Sequence, residues 1–184
     1  GLDKLDPKTG EFIHVFTNDP DIEAVNQLHI RTLYVDNSGV LWIGGGSPFS
    51  DDDFNPGGLF KYDQKRDEIS PYLHSPEETS LISDIVSAIF EDSRGVFWVG
   101  TAGDGLHTMD REKGTFVRYR YDPKNPNKLS RPALRNIIDY TVDFITFINE
   151  DNQGQIWIGT YEGGLNRYDP NSKYITYFGI EQVG

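Results

Sequence analysis

Three segments of this chain repeat one another closely enough to dictate the kind of fold it can adopt. Asp36-Asn37-Ser38-Gly39-Val40-Leu41-Trp42-Ile43-Gly44, Asp92-Ser93-Arg94-Gly95-Val96-Phe97-Trp98-Val99-Gly100 and Asp151-Asn152-Gln153-Gly154-Gln155-Ile156-Trp157-Ile158-Gly159 share a turn signal followed by a short apolar stretch around tryptophan. All three tryptophans of the chain sit in this motif. A second motif follows each: Gly58-Leu59-Phe60-Lys61-Tyr62-Asp63, Gly105-Leu106-His107-Thr108-Met109-Asp110 and Gly164-Leu165-Asn166-Arg167-Tyr168-Asp169. A further copy, Gly1-Leu2-Asp3-Lys4-Leu5-Asp6, opens the sequence. Regular self-similarity of this length marks an architecture in which each unit buries its faces against its neighbours.

The tryptophans lie 56 and 59 residues apart, longer than the roughly 40–50 residues of a propeller blade, so insertions are expected. Each unit resolves into four strands. An apolar first strand (30–35, 85–90, 144–148) runs into the Asp-x-x-Gly turn. The second strand carries Trp, the third carries Gly-Leu-x-x-x-Asp, and the fourth is aromatic (12–16, 69–72, 116–121, 174–178). In the turn, the Asp side chain is placed to accept backbone N–H bonds, and Gly takes a positive φ that closes the hairpin with a bulge. The indole that follows is expected as an apolar plate between sheets.

The expected fold is therefore all-β: a β-propeller segment of four-stranded antiparallel meander blades, about three full blades plus a half blade. Residues 1–17 supply the last two strands of an incomplete blade, 18–73 a blade with an Asp-rich insertion, 74–121 a blade, and 122–184 a blade with a long entry linker. Too few blades are present to close a ring. The sequence also begins inside a recurring motif, so it reads as a piece of a longer chain, and the open faces of its terminal blades are expected to make chain-to-chain contacts.

With no cysteine, disulfides and thiolate metal sites are excluded. The formal charge of −12 opposes phosphate backbones and anionic membrane surfaces, which argues against nucleic acid as a partner. No apolar run approaches the roughly 18–20 residues of a membrane span, so no membrane contact is expected of this segment.

The stretch 144–178, with Gly154-Gln155-Ile156-Trp157-Ile158-Gly159 and Gly164-Leu165-Asn166-Arg167-Tyr168-Asp169 at its centre, resembles the two-component regulator propeller repeat. The linker Asp122-Pro123-Lys124-Asn125-Pro126-Asn127-Lys128-Leu129-Ser130, echoed at 75–83, resembles that family's connections. The resemblance implies the periplasmic sensor region of a hybrid histidine kinase of the Bacteroidetes type, with an oligosaccharide fragment or a partner protein expected on its loop-bearing face; no cofactor is expected.

In a meander, the loop joining the second and third strands and the linker joining successive blades emerge at the same end. Insertions cluster there, and binding residues concentrate on loops held by a rigid scaffold. This singles out Asp51, Asp52, Asp53, Phe54 and Asn55 in the first blade, Asp104 in the second, Arg135 and Tyr140 in the last linker, and Tyr161 with Glu162 in the last blade. The aspartate run lacks the alternate spacing of a calcium loop and reads as a solvated acidic loop, so no metal is assigned. His14, His29, His74 and His107 have no ligand spacing.

The enzyme alternative is a glycoside hydrolase of the Asp-box type, since such turns also precede tryptophan there. In that resemblance, however, the boxes form turns away from the catalytic centre. The arginines of this chain fall at unrelated repeat positions, and no two carboxylates are marked as a pair. No phosphate loop, nucleophile elbow or kinase signature is present, so no catalytic residue is assigned. A purely structural interaction scaffold is the third reading, because propellers host enzymes, binders and scaffolds alike.

Overall fold

The computed structural model describes residues 2–15, 28–48, 57–102, 105–119, 144–161 and 164–178. Its fourteen strands fall into one two-stranded and three four-stranded antiparallel sheets, each in strict sequence order. β1 (Leu2–Leu5) and β2 (Phe12–Val15) form the half blade. The first blade is β3 (Ile30–Val35), β4 (Leu41–Gly45), β5 (Gly58–Asp63) and β6 (Glu68–Tyr72). The second is β7 (Val86–Glu91), β8 (Phe97–Thr101), β9 (Leu106–Asp110) and β10 (Thr115–Tyr119). The third is β11 (Ile145–Glu150), β12 (Ile156–Thr160), β13 (Gly164–Asp169) and β14 (Tyr174–Phe178).

The Asp-x-x-Gly turns hold this arrangement together. Gly39, Gly95 and Gly154 have φ of 83, 80 and 76°, conformations that cost glycine little. One Asp36 oxygen accepts the N–H groups of Ser38 and Val40, both at 3.0 Å, and the other accepts the Trp42 indole N–H at 2.9 Å. Asp92 does the same with Arg94, Val96 and Trp98, and Asp151 with Gln153, Gln155 and Trp157. Burial pushes the Asp36 carboxyl up, but bonds from the Ser38 hydroxyl, the Trp42 indole and the Val40 and Ser38 amides outweigh it and hold the group at about 2. Each turn thus also locks the rotamer of its tryptophan.

Successive blades pack through these indoles. Phe97 lies 4.7 Å from Trp42, and Tyr168 meets Trp98 edge-on at 6.1 Å. One core cluster joins Trp42 and Leu59 to Val86, Phe97, Met109 and Phe116; another joins Trp98 and Leu106 to Ile145, Ile156 and Ile175. Glutamates at the ends of the first strands reach back to the preceding turn. Glu91 accepts the Asn37 N–H at 2.8 Å, and Glu150 accepts the Ser93 N–H at 2.7 Å. Arg111 bridges Asp36 and Glu91 and lies over the Phe97 ring.

The linker between the first two blades is pinned as well. Leu81 is fully buried, and the Arg118 guanidinium donates to the carbonyls of Ser80 (2.8 Å), Glu77 (2.6 Å) and Leu81 (3.1 Å). His107, also fully buried in its strand, accepts the Ile82 N–H at 3.2 Å.

Candidate functional site

The first strand of every blade breaks its register at the same place. The pairing slips between Ile30 and Thr32, between Val86 and Ala88, and between Ile145 and Phe147. The residues passed over are Arg31, Ser87 and Thr146. A bulge residue is left out of the ladder and its side chain is re-aimed, a device common beside binding sites.

Here the three bulges converge. Arg31, Ser87 and Thr146, with Ile30 and Phe144, line a concavity of about 270 Å³ at the loop-bearing end of the first strands. That is just below the range of about 300–1,000 Å³ usual for small-ligand pockets. The Arg31 guanidinium lies 5.4 Å from the centre of the Phe144 ring, a cation–π contact. Behind it, Tyr161 stacks on Phe144 at 5.8 Å with an interplanar angle of 28°. The Ser87 hydroxyl donates to the Ile145 carbonyl of the next blade, with the Gly100 carbonyl at 3.2 Å.

Local backbone bonds place Tyr161 at this rim. Its N–H donates to the Phe144 carbonyl at 2.8 Å, just as Ala102 N–H donates to Ile85 and Gly46 N–H to His29. The third blade therefore puts a tyrosine, 39% exposed, where the others have alanine and glycine. Chemically, the site offers a permanently charged fork of N–H donors, an aromatic plate with a hydroxyl, and the Thr146 hydroxyl. Its described lining includes no carboxylate.

Of the residues singled out from the loops, Tyr161 belongs to this cluster. Asp51, Asp52, Asp53, Phe54, Asn55, Asp104, Arg135, Tyr140 and Glu162 lie outside the described residues. Arg31, Ser87 and Thr146 stand on the first strands, and Phe144 just before one, so they fall outside the loops from which the sequence expectation was drawn. The signal was available: counted within the first strand, Arg31, Ser87 and Thr146 fall at one equivalent position, each polar and each directly after an apolar residue. Among the described residues, no group of three or more His, Asp or Glu side chains is placed to hold a metal ion.

The model of the two-component regulator propeller matches residues 25–47, 80–103 and 139–162, once in each complete blade. Each complete blade is thus similar to a two-component regulator propeller repeat. Each match covers the first and second strands and ends at the rim where Tyr161 stands. Solved structures are similar over most of the chain. The extracellular domain of a hybrid two-component system from B. thetaiotaomicron is 25% identical with a TM-score of 0.69, over 98% of this chain and 22% of that one. A second such domain from the same organism is 20% identical with a TM-score of 0.57, over 92% of this chain and 21% of that one. This chain thus spans about a fifth of the length of those sensors. Virginiamycin B lyase from Staphylococcus aureus shares the fold at 16% identity and a TM-score of 0.60, over 98% of this chain and 49% of the lyase. A comparison with curated proteins gives no match.

Proposed function

We propose that these regulator propeller blades form part of the periplasmic sensor region of a two-component signalling protein, and that they bind an oligosaccharide at the Arg31–Phe144–Tyr161 rim without transforming it. The observation that carries this reading is the convergence of the three bulge residues on one concavity beside an aromatic stack. Arg31 supplies oriented donors for sugar hydroxyl or carboxylate oxygens, and the tyrosine ring supplies an apolar surface for the C–H face of a pyranose. A lining with hydroxyl and guanidinium groups but no described acid supports orientation of a ligand rather than acid–base chemistry. The extracellular placement of the similar sensor domains supports the compartment.

Calorimetric titration of the purified chain with a series of neutral and uronic-acid-containing oligosaccharides tests the reading. Saturable binding is expected, weakened about tenfold or more by Arg31→Ala and by Tyr161→Ala, while thermal unfolding stays near that of the parent chain. Binding indifferent to both substitutions, or none to any oligosaccharide, overturns the site and favours a scaffold. Turnover of a fluorogenic glycoside, abolished by one carboxylate substitution, would replace the sensor reading with the glycoside hydrolase alternative.

A further inference from the structure

Among the described arginines, Arg31 alone has neither a hydrogen-bond acceptor nor a counter-ion. Arg66 pairs with Asp63, Arg94 with Asp92, and Arg111 with Asp36 and Glu91. Arg118 donates to the linker carbonyls, and Arg167 to the Thr176 hydroxyl. The Arg31 side chain is exposed, and its one aromatic contact is with the Phe144 ring, 5.4 Å from the centroid. That contact draws on the charge of the group and leaves its five N–H donors open. Acids are in excess in a chain of formal charge −12, yet no described carboxylate pairs with this cation.

Backbone register puts the open cation at the concavity. Ile30 pairs with Gly45 and Thr32 with Gly44, so Arg31 is the residue passed over. The equivalent residues of the next two blades carry short hydroxyls. The Ser87 hydrogen is committed to the Ile145 carbonyl, with the Gly100 carbonyl also in reach, so the Ser87 oxygen is left to accept. The Thr146 hydroxyl can donate or accept. Donors therefore outnumber acceptors among the described side chains of the lining.

This imbalance selects between kinds of sugar. A sugar hydroxyl donates as well as accepts, and a neutral sugar needs acceptors to receive its protons. A carboxylate or a sulfate ester only accepts, and it matches the guanidinium fork in both geometry and charge. With the anionic group on Arg31, the ring that bears it lies within reach of the tyrosine that stacks on Phe144.

We propose that the concavity selects an acidic sugar, whose carboxylate or sulfate ester is held by the Arg31 guanidinium beside the Phe144–Tyr161 stack, a selection that rests on the proposed oligosaccharide binding and narrows it. Calorimetric titration with matched tetrasaccharides tests it: tetragalacturonate and its carboxyl-reduced form, and a carrageenan tetrasaccharide bearing galactose 4-sulfate and its desulfated form. An acidic member is expected to bind about tenfold or more tighter than its neutral counterpart, and the pair that shows the difference names the anionic group. Arg31→Gln keeps an exposed polar side chain and the same thermal unfolding, and it is expected to bring the acidic member down to the level of its counterpart. Arg66→Gln, which removes an exposed charge from the β5–β6 turn at the opposite end of the first blade, is expected to leave the ratio unchanged. Equal affinity for acidic and neutral members, or binding of neutral oligosaccharides alone, overturns the selection and leaves the oligosaccharide reading standing. A preference that survives Arg31→Gln, or that Arg66→Gln weakens as much, overturns it by placing the anion elsewhere on the chain. Absence of binding to any oligosaccharide overturns the underlying reading, and the selection with it.

Discussion

Asp36→Asn isolates what a turn carboxylate contributes to these blades. The substitution preserves shape and keeps one acceptor oxygen for the Ser38 and Val40 amides. It places an NH₂ group where Oδ2 accepts the Trp42 indole N–H at 2.9 Å and an Arg111 N–H at 2.9 Å. Two donors then face a donor. A hydrogen bond to a charged acceptor contributes about 1.5–3 kcal/mol, and an abandoned buried donor costs about as much. Arg111 retains Glu91 and is 27% exposed, so its share falls at the low end. The expected loss at pH 7 is about 3–4 kcal/mol, a large fraction of the roughly 5–15 kcal/mol that stabilises a domain. Urea unfolding followed by tryptophan fluorescence measures it, with Glu68→Gln on an exposed strand position as control. The pH dependence gives a second reading. The folded Asp36 carboxyl is held at about 2, below its usual 3.8. Its stabilisation is therefore present above pH 4 and is lost as pH falls toward 2, an effect on the order of 2 kcal/mol. The gap between the two proteins must shrink over that interval, as the parent carboxyl takes up a proton. A loss below about 1 kcal/mol at pH 7, or a gap that does not narrow in acid, refutes the reasoning.

Two further substitutions probe the joints between blades. Gly100→Ala drives a methyl group into Ile145 of the next blade and should destabilise by about 1–3 kcal/mol; in a double-mutant cycle with Ile145→Ala, the two costs should fall well short of additive if the contact is the cause. Arg118→Ala removes the clamp on the first linker, so amide hydrogen exchange should accelerate at 75–83 while the β7–β10 ladder keeps its protection; unchanged exchange in the linker would show that Leu81 alone anchors it.

The sequence shows the blades because their determinants are local. Asp36, Gly39 and Trp42 lie within seven residues, and the strand–turn–strand unit they specify recurs twice more. The bond from each indole to its aspartate was not legible, because a constant spacing of six residues says nothing until the hairpin folds Trp back over its own turn. The site resisted for the opposite reason. Arg31, Ser87 and Phe144 are 56 and 57 residues apart in steps along the chain, and only the stacking of successive first strands brings them together. The bulge that aims Arg31 is a property of register between two strands, which residue identities alone do not disclose.

The acidity of the chain now reads differently at its two ends. At the turn end, Asp36, Asp92 and Asp151 are committed to indoles and amides, and Glu91 and Glu150 to the turns of neighbouring blades. A carboxylate whose oxygens are filled by donors within the fold has little left for a cation or a substrate. These repeated acids therefore explain rigidity and exclude themselves from recognition. At the loop end the repeat relaxes, and the residues that replace its small members are an arginine and a tyrosine: Arg31 where the other blades carry Ser87 and Thr146, Tyr161 where they carry Gly46 and Ala102. Under the proposed function, these are positions where side chains vary while the scaffold beneath them is held constant, and it is at Arg31 and Tyr161 that a change of specificity should be sought.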